Sequence, residues 1–283
     1  MDATCTDGGR GADGTECKAD RECYRFKATQ RENRMSQNMG SGIFGLSVDV
    51  SSSYTQGSPT RGSQSELAGL LSMLHRLQIP ATFATPTPGC DGFFEPIRDE
   101  PVRHELAILA DESWVGPGVG RTKFARELAS RVESAKLSGA SVHTLAINGA
   151  ELTENLDLLV KHQISVVRSS ANRGFEPQSL RFGVWQAPVS FTLPSTGRWQ
   201  FGGNEWAVNR ALTRATKCSG LVHLVVSLEA LCDKQEAAAL ERVLATVNRR
   251  RSKQQVSVLT MRGVVARLAP QRAASAKSVL RVA

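Results

Sequence analysis

Between Gly42 and Leu268, short apolar runs alternate with longer stretches that carry a single apolar face, and this repetition restricts the chain to few folds. Ile43–Val50 (IFGLSVDV) is predicted to be a strand. Glu66–Gln78 follows, with Leu67, Leu70, Leu71, Leu74 and Leu77 at the spacing that lines one side of a helix, and Ser65 stands before it as the expected N-cap. Pro80 opens a strand over Ala81–Thr85. His104–Leu109 is the next strand, and Thr122–Leu137 the next helix, with Phe124, Leu128, Val132 and Ala135 on one face. The order continues as strand Ser141–Ile147, helix Thr153–His162, strand Ile164–Arg168 and a weaker strand signal at Val189–Leu193. Helix Asn204–Thr216, strand Leu221–Val226, helix Lys234–Arg249, strand Val256–Thr260 and a short terminal helix complete it.

Strands joined by helices run parallel through right-handed crossovers. Seven or eight such units over about 230 residues predict an α/β fold, a (β/α)7-8 distorted barrel. An open doubly wound sheet is the alternative. No G-x-G-x-x-G follows the first strand, which argues against a dinucleotide-binding fold.

The barrel is expected over residues 42–268. Residues 1–41 are rich in Gly, Asp, Arg, Lys and Ser and are expected to be a disordered tail, with Met35 and Met39 offering alternative natural starts. Residues 269–283 are expected to be a loose basic tail. The formal charge of +8 is concentrated at this end: residues 249–283 hold nine basic side chains and no acidic one, so the rest is nearly neutral. A basic end attracts phosphate and anionic surfaces, which makes weak nucleic-acid binding a further alternative. The segment has no aromatics for base stacking, so a solvated charged end is preferred. Cys5, Cys17 and Cys23 lie in the tail and Cys90, Cys218 and Cys232 in the domain, none in C-x-x-C spacing; reduced thiols are expected. With no run of eighteen apolar residues and no apolar leader, the expectation is a cytoplasmic chain without a membrane span.

Parallel α/β barrels build their sites where the strands end. That rule selects Asp49 after the first strand, Asp111 and Glu112 after the third, Asn148 after the fourth, Arg168 at the end of the fifth, and Ser227 with Glu229 after Leu221–Val226. Trp114, in a glycine-flanked turn, is a candidate platform for a sugar ring, as are Trp185, Trp199 and Trp206; core anchoring or loop packing is the preferred reading for any single one. Arg168 suits an anion, or an ion pair with Asp49 or Asp111. His75, His143 and His162 are expected to be structural. No G-x-S-x-G surrounds any serine, which disfavours a serine hydrolase.

One family resemblance runs along this order. Gln78-Ile-Pro-Ala-Thr-Phe-Ala84 resembles the G-I-P-A-T-F-F junction of the polysaccharide deacetylases, the chitooligosaccharide-deacetylase type of carbohydrate esterase. Ser47-Val-Asp-Val-Ser51 stands where that family has T-F-D-D-G, and Arg103-His-Glu-Leu-Ala-Ile-Leu-Ala-Asp-Glu-Ser113 where it has G-H-E-I-G-N-H-T-x-S-H. His223-Leu-Val-Val-Ser-Leu228 is similar to its late H-L-W-F-H-P strand, and Thr260-Met261 to its terminal T-M.

The resemblance implies the deacetylase barrel, a divalent metal cofactor and Asp49 as the general base. It also implies losses: the metal-binding Asp falls on Val50, the two metal-binding His on Leu109 and Ser113, and the late catalytic His on Ser227. The Arg of R-x-P-x-G falls near Ala146-Ile-Asn-Gly149, where there is none. Valine, leucine and serine cannot replace imidazole and carboxylate ligands. The expectation is therefore a divergent member lacking metal-dependent deacetylation, with no metal held, that binds a carbohydrate or serves as a scaffold. The alternative is an active hydrolase on the same barrel, using Asp49, Asp111, Glu112 or Glu229 as acid, base or ligand.

Overall fold

The computed structural model describes residues 41–51, 61–89, 91–116, 118–149, 152, 154–193 and 203–269. The expected N-terminal tail with its three cysteines, Cys90, Trp199 and the tail from 270 onward lie outside the described residues.

Among the described residues ten strands form one sheet: β1 (Gly42–Asp49), β2 (Thr82–Thr85), β3 (Glu105–Ala110), β4 (Thr144–Ile147), β5 (Val166–Arg173), β6 (Gln178–Ser179), β7 (Trp185–Val189), β8 (Phe191–Leu193), β9 (Leu221–Ser227) and β10 (Val256–Val258). Every pairing is parallel except the short β6–β7 ribbon. β5 pairs with β7, and β8 pairs with β9; the two pieces are separated only by Ser190. Ser190 N–H donates to His223 O (2.9 Å) and Ser190 Oγ accepts from His223 N–H (3.1 Å). The line 185–193 thus runs beside β5 and then beside β9, and the sheet β7-β5-β4-β3-β2-β1-β9-β8 curls into the distorted α/β barrel expected from the sequence. β10 pairs with the first half of β1, on the side where β2 takes the second half.

The helices α1 (Arg61–Leu77), α2 (Asp91–Arg98), α3 (Arg121–Leu137), α4 (Leu156–Lys161), α5 (Gly203–Cys218), α6 (Lys234–Ser252) and α7 (261–269) connect or follow the strands. In α3, Phe124, Leu128, Val132 and Ala135 are all buried, the stripe that the spacing predicts. Burying each of the three larger ones contributes about 1.5–3 kcal/mol. α1 begins four residues before the predicted Ser65 cap, which lies inside the helix. It stops at Leu77 because Gln78 turns left-handed (φ 53°), and Arg251 at the end of α6 donates to the carbonyls of Leu77 (2.7 Å) and Gln78. α4 is shorter than the predicted Thr153–His162 because Asn155 before it also has a positive φ of 59°. α2 and β6 have no counterpart in the sequence prediction.

Alternate residues of each strand point into the barrel. At the N-terminal end this interior is closed by Ile43, Val166, Ala187, Leu221, Met261 and Val264. Gly45 leaves room there for the Met261 side chain: a Cβ on it would come within 2.2 Å of Met261 Cε, and the methionine would have to turn aside. The opposite end, where the strands finish, is the mouth.

Candidate functional site at the barrel mouth

β1 carries Asp49 at its tip, and β5 carries Arg168 one pair in from where β4 ends. Arg168 is among the largest fully buried side chains, 1% exposed. Its guanidinium donates from Nη1 to Asp49 Oδ1 at 2.5 Å and from Nη2 to Asp49 Oδ2 at 2.9 Å, and Nη2 also meets Asn148 Oδ1 at 3.3 Å. Three strands lie between these partners. Their interior residues Ala84, Ala107 and Ala146 form one small cluster, and such short side chains leave the lumen to the arginine. The charge is therefore matched by a bidentate carboxylate, the arrangement that a buried arginine requires.

Directly beneath lies a second polar group. Ser47, two residues before Asp49, and His223 on β9 are both buried, with Ser47 Oγ 2.8 Å from His223 Nε2. His223 Nδ1 lies 2.9 Å from Pro188 O. A carbonyl only accepts, so the ring proton sits on Nδ1, and Nε2 accepts from the Ser47 hydroxyl. Burial, helped by the charge of Arg168, pushes the His223 pKa down to about 3, so the imidazole is neutral. The Ser–His contact has the form of a nucleophile and its base, but neither side chain reaches solvent.

The remaining rim candidates are dispersed. Asp111 Oδ1 accepts from Ser113 N–H (2.8 Å), closing a local turn. Glu112 is exposed, its Oε1 3.1 Å from where a Cβ on Gly149 would stand. Glu229 accepts from Ser51 Oγ. Ser227 is half-buried and opposite Asp49 in the β1–β9 register. Asp49, Asn148 and Arg168 meet; Asp111 and Glu229 have partners of their own. Trp114 lies in the core, the reading favoured for it over a ligand platform: it is 1% exposed, with the Arg131 guanidinium 4.5 Å from its ring centre and Phe124 packed beside it. Trp185 is also buried, while Trp206 is exposed under Arg210 on α5.

The positions at which deacetylases hold their metal are unsuited to one here. Val50 is fully buried in the hydrophobic core, Leu109 packs on the lumenal alanines, and Ser113 is exposed with its backbone N–H tied to Asp111. Among the described residues no three His, Cys, Asp or Glu side chains are grouped to hold an ion. Asp49 already faces a fixed cation, which repels a second. The residues present do not fit the metal.

Three buried polar residues escaped the sequence reading as interior groups: Ser47, His223 and Glu105. Each carried a signal, a polar or titratable side chain inside a run of strand-forming apolar residues (FGLSV, LVHLVV, HELAIL). His104, beside Glu105, is structural: Nδ1 accepts from Ala81 N–H (3.1 Å), the ring packs edge-on to Phe83, and burial lowers its pKa to about 4.

No protein-family model matches the sequence, and no curated protein matches it. Solved structures do. A protein assigned to the polysaccharide deacetylases from Mycobacterium smegmatis aligns over 82% of this chain and 92% of its own, with a TM-score of 0.61 and 16% identity. Another from Pseudomonas aeruginosa PAO1 aligns over 79% and 90%, with a TM-score of 0.59 and 13% identity. Puue allantoinase aligns over 80% and 90%, with a TM-score of 0.59 and 12% identity. At such identities a likeness speaks for architecture, and the architecture is plain: the chain carries the polysaccharide deacetylase fold.

Proposed function

We propose that this protein is a divergent relative of the polysaccharide deacetylases that binds a carbohydrate at the barrel mouth without metal-dependent deacetylation. One observation carries the reading: both oxygens of Asp49, the residue at the deacetylase base position, accept from a buried guanidinium. The hydrocarbon and serine side chains at the metal positions support it. The carbohydrate ligand rests on the shared fold.

Calorimetric titration of the full chain with Zn²⁺, Co²⁺ and Mn²⁺, beside an acetate-release assay on acetylated chitooligosaccharides, tests the reading. Binding weaker than micromolar for all three ions and no acetate release are expected. Saturation-transfer NMR with the same oligosaccharides is expected to show contact that Asn148→Asp alters. Micromolar or tighter metal binding together with acetate release overturns the proposal.

A further inference from the structure

The end of the barrel opposite the mouth holds a cleft of about 380 Å³ between the start of β3, the turn before β4 and the start of α7. Phe94, Ile97 and Leu106 give it an apolar wall, and Arg98, Arg103 and Arg262 bring positive charge. The two carboxylates that share the cleft are already engaged. Glu105 accepts from Thr82 Oγ1 (3.2 Å), Thr144 Oγ1 (2.5 Å) and Arg262 N–H (2.8 Å), while Glu100 faces His75 Nδ1 at 3.2 Å. Arg98 bonds Asp99 (3.1 Å) and lies over the Phe94 ring. Arg103 and Arg262 are exposed and have no ionic partner among the described residues.

We propose that this cleft is a second small-molecule site, taking an oxyanion of the phosphate or carboxylate class carried on a compact apolar body. Its volume is that of a small-ligand pocket. Two unspent guanidinia supply the forked donors that carboxylates and phosphates match, and the apolar wall beside them lowers the local dielectric and strengthens the attraction. The wall also favours an organic anion over a bare one. The site stands apart from the mouth and does not depend on the function proposed for it.

Calorimetry on the full chain at low salt, with phenyl phosphate, benzoate and inorganic phosphate, tests this. At least one aromatic anion is expected to bind about tenfold or more tightly than inorganic phosphate, and which of the two does so names the headgroup class. The double variant Arg103→Gln/Arg262→Gln is expected to weaken that binding about tenfold or more and to flatten its salt dependence. Arg249→Gln/Lys253→Gln removes the same charge from the cleft between α5 and α6 and is expected to leave the affinity unchanged. All four side chains lie on the surface, so circular dichroism is expected to show both variants folded. No heat from either aromatic anion at millimolar concentration, or equal weakening by both variants, or none by the first, overturns the proposal.

Discussion

Arg168 reaches from β5 across the barrel to clasp both carboxylate oxygens of Asp49 on β1. The pair lies at the level where an α/β barrel performs its chemistry, and it joins strands that are not neighbours in the sheet. The exposures differ: the arginine side chain is 1% exposed and the aspartate 15%. The two ends of the pair therefore depend on each other unequally, because a stranded charge costs more the less water can reach it.

Asp49→Asn is expected to destabilise the fold by about 3–5 kcal/mol, since it leaves the guanidinium buried without a counter-charge. Arg168→Met costs less, because the aspartate it leaves behind keeps some contact with water. The double variant is expected to be more stable than the sum of the two losses predicts, with a coupling energy of roughly 1–3 kcal/mol. Urea denaturation followed by circular dichroism reads all three. A double variant that simply adds the two single losses would show that the pair contributes nothing as a pair.

Acid acts on two histidines of the interior, the buried His223 and the half-buried His104. His223 titrates near 3 and His104 near 4 in the folded chain, both pushed down chiefly by burial. The unfolded chain takes up these protons near pH 6.5. Their contribution is complete above that value and falls away as pH drops toward the folded pKa, because only the unfolded state gains protons. Between pH 7 and pH 5 stability is expected to fall by on the order of 1–2 kcal/mol per histidine. Glu127 and Asp157, held low by Arg131 and Arg121, add their loss only at more acid pH. His104→Asn is expected to shallow the slope between pH 7 and 5; an unchanged slope removes His104 as a source.

The three consecutive arginines at the end of α6 separate by contact rather than by charge. Arg251 caps the end of α1, and Arg250 bonds Asn209 and Thr213 on α5. Arg251→Gln is expected to cost about 1–2 kcal/mol through lost hydrogen bonds to helix-end carbonyls. Arg249→Gln stays within about 0.5 kcal/mol, as surface changes do. Thermal melts of the two variants compare them; equal shifts would mean that the cap is idle.

The barrel was readable because parallel strands covered on both sides are short apolar runs, and because the helices between them carry stripes such as Phe124, Leu128, Val132 and Ala135. The same property hides the interior. When both faces of a strand are apolar, nothing in Leu221–Val226 says which residues look inward, so His223 reads as an oddity rather than as the partner of Ser47. Asp49 and Arg168 were legible as strand-end residues. Their clasp depends on Ala84, Ala107 and Ala146 on three other strands, a condition that no local pattern expresses. Helix ends failed where a left-handed residue intervenes, as at Asn155.

Glu105 anchors the last helix to the barrel. It opens β3, is 8% exposed, and takes the Arg262 N–H at the start of α7 while also accepting from Thr82 and Thr144. Thr82 Oγ1 accepts from Met261 N–H in turn, at 3.0 Å. The positive end of a helix favours a carboxylate at this point, and Thr260 completes the cap through its carbonyl and hydroxyl. Glu105→Ala leaves two buried hydroxyls and a backbone N–H with unmet bonds and is expected to cost about 3 kcal/mol. Glu105→Gln keeps the shape and one good acceptor, and is expected to cost about 1 kcal/mol. The loss concentrates in α7: in Glu105→Ala, hydrogen exchange at amides 262–268 accelerates ahead of β1 and β9, because the helix lifts from the floor before the barrel opens. Met261 leaves with it, since its place against Gly45 is held by the same cap. Exchange that quickens equally in β1 and in α7 would mean that floor and helix unfold as one unit, with no separate latch.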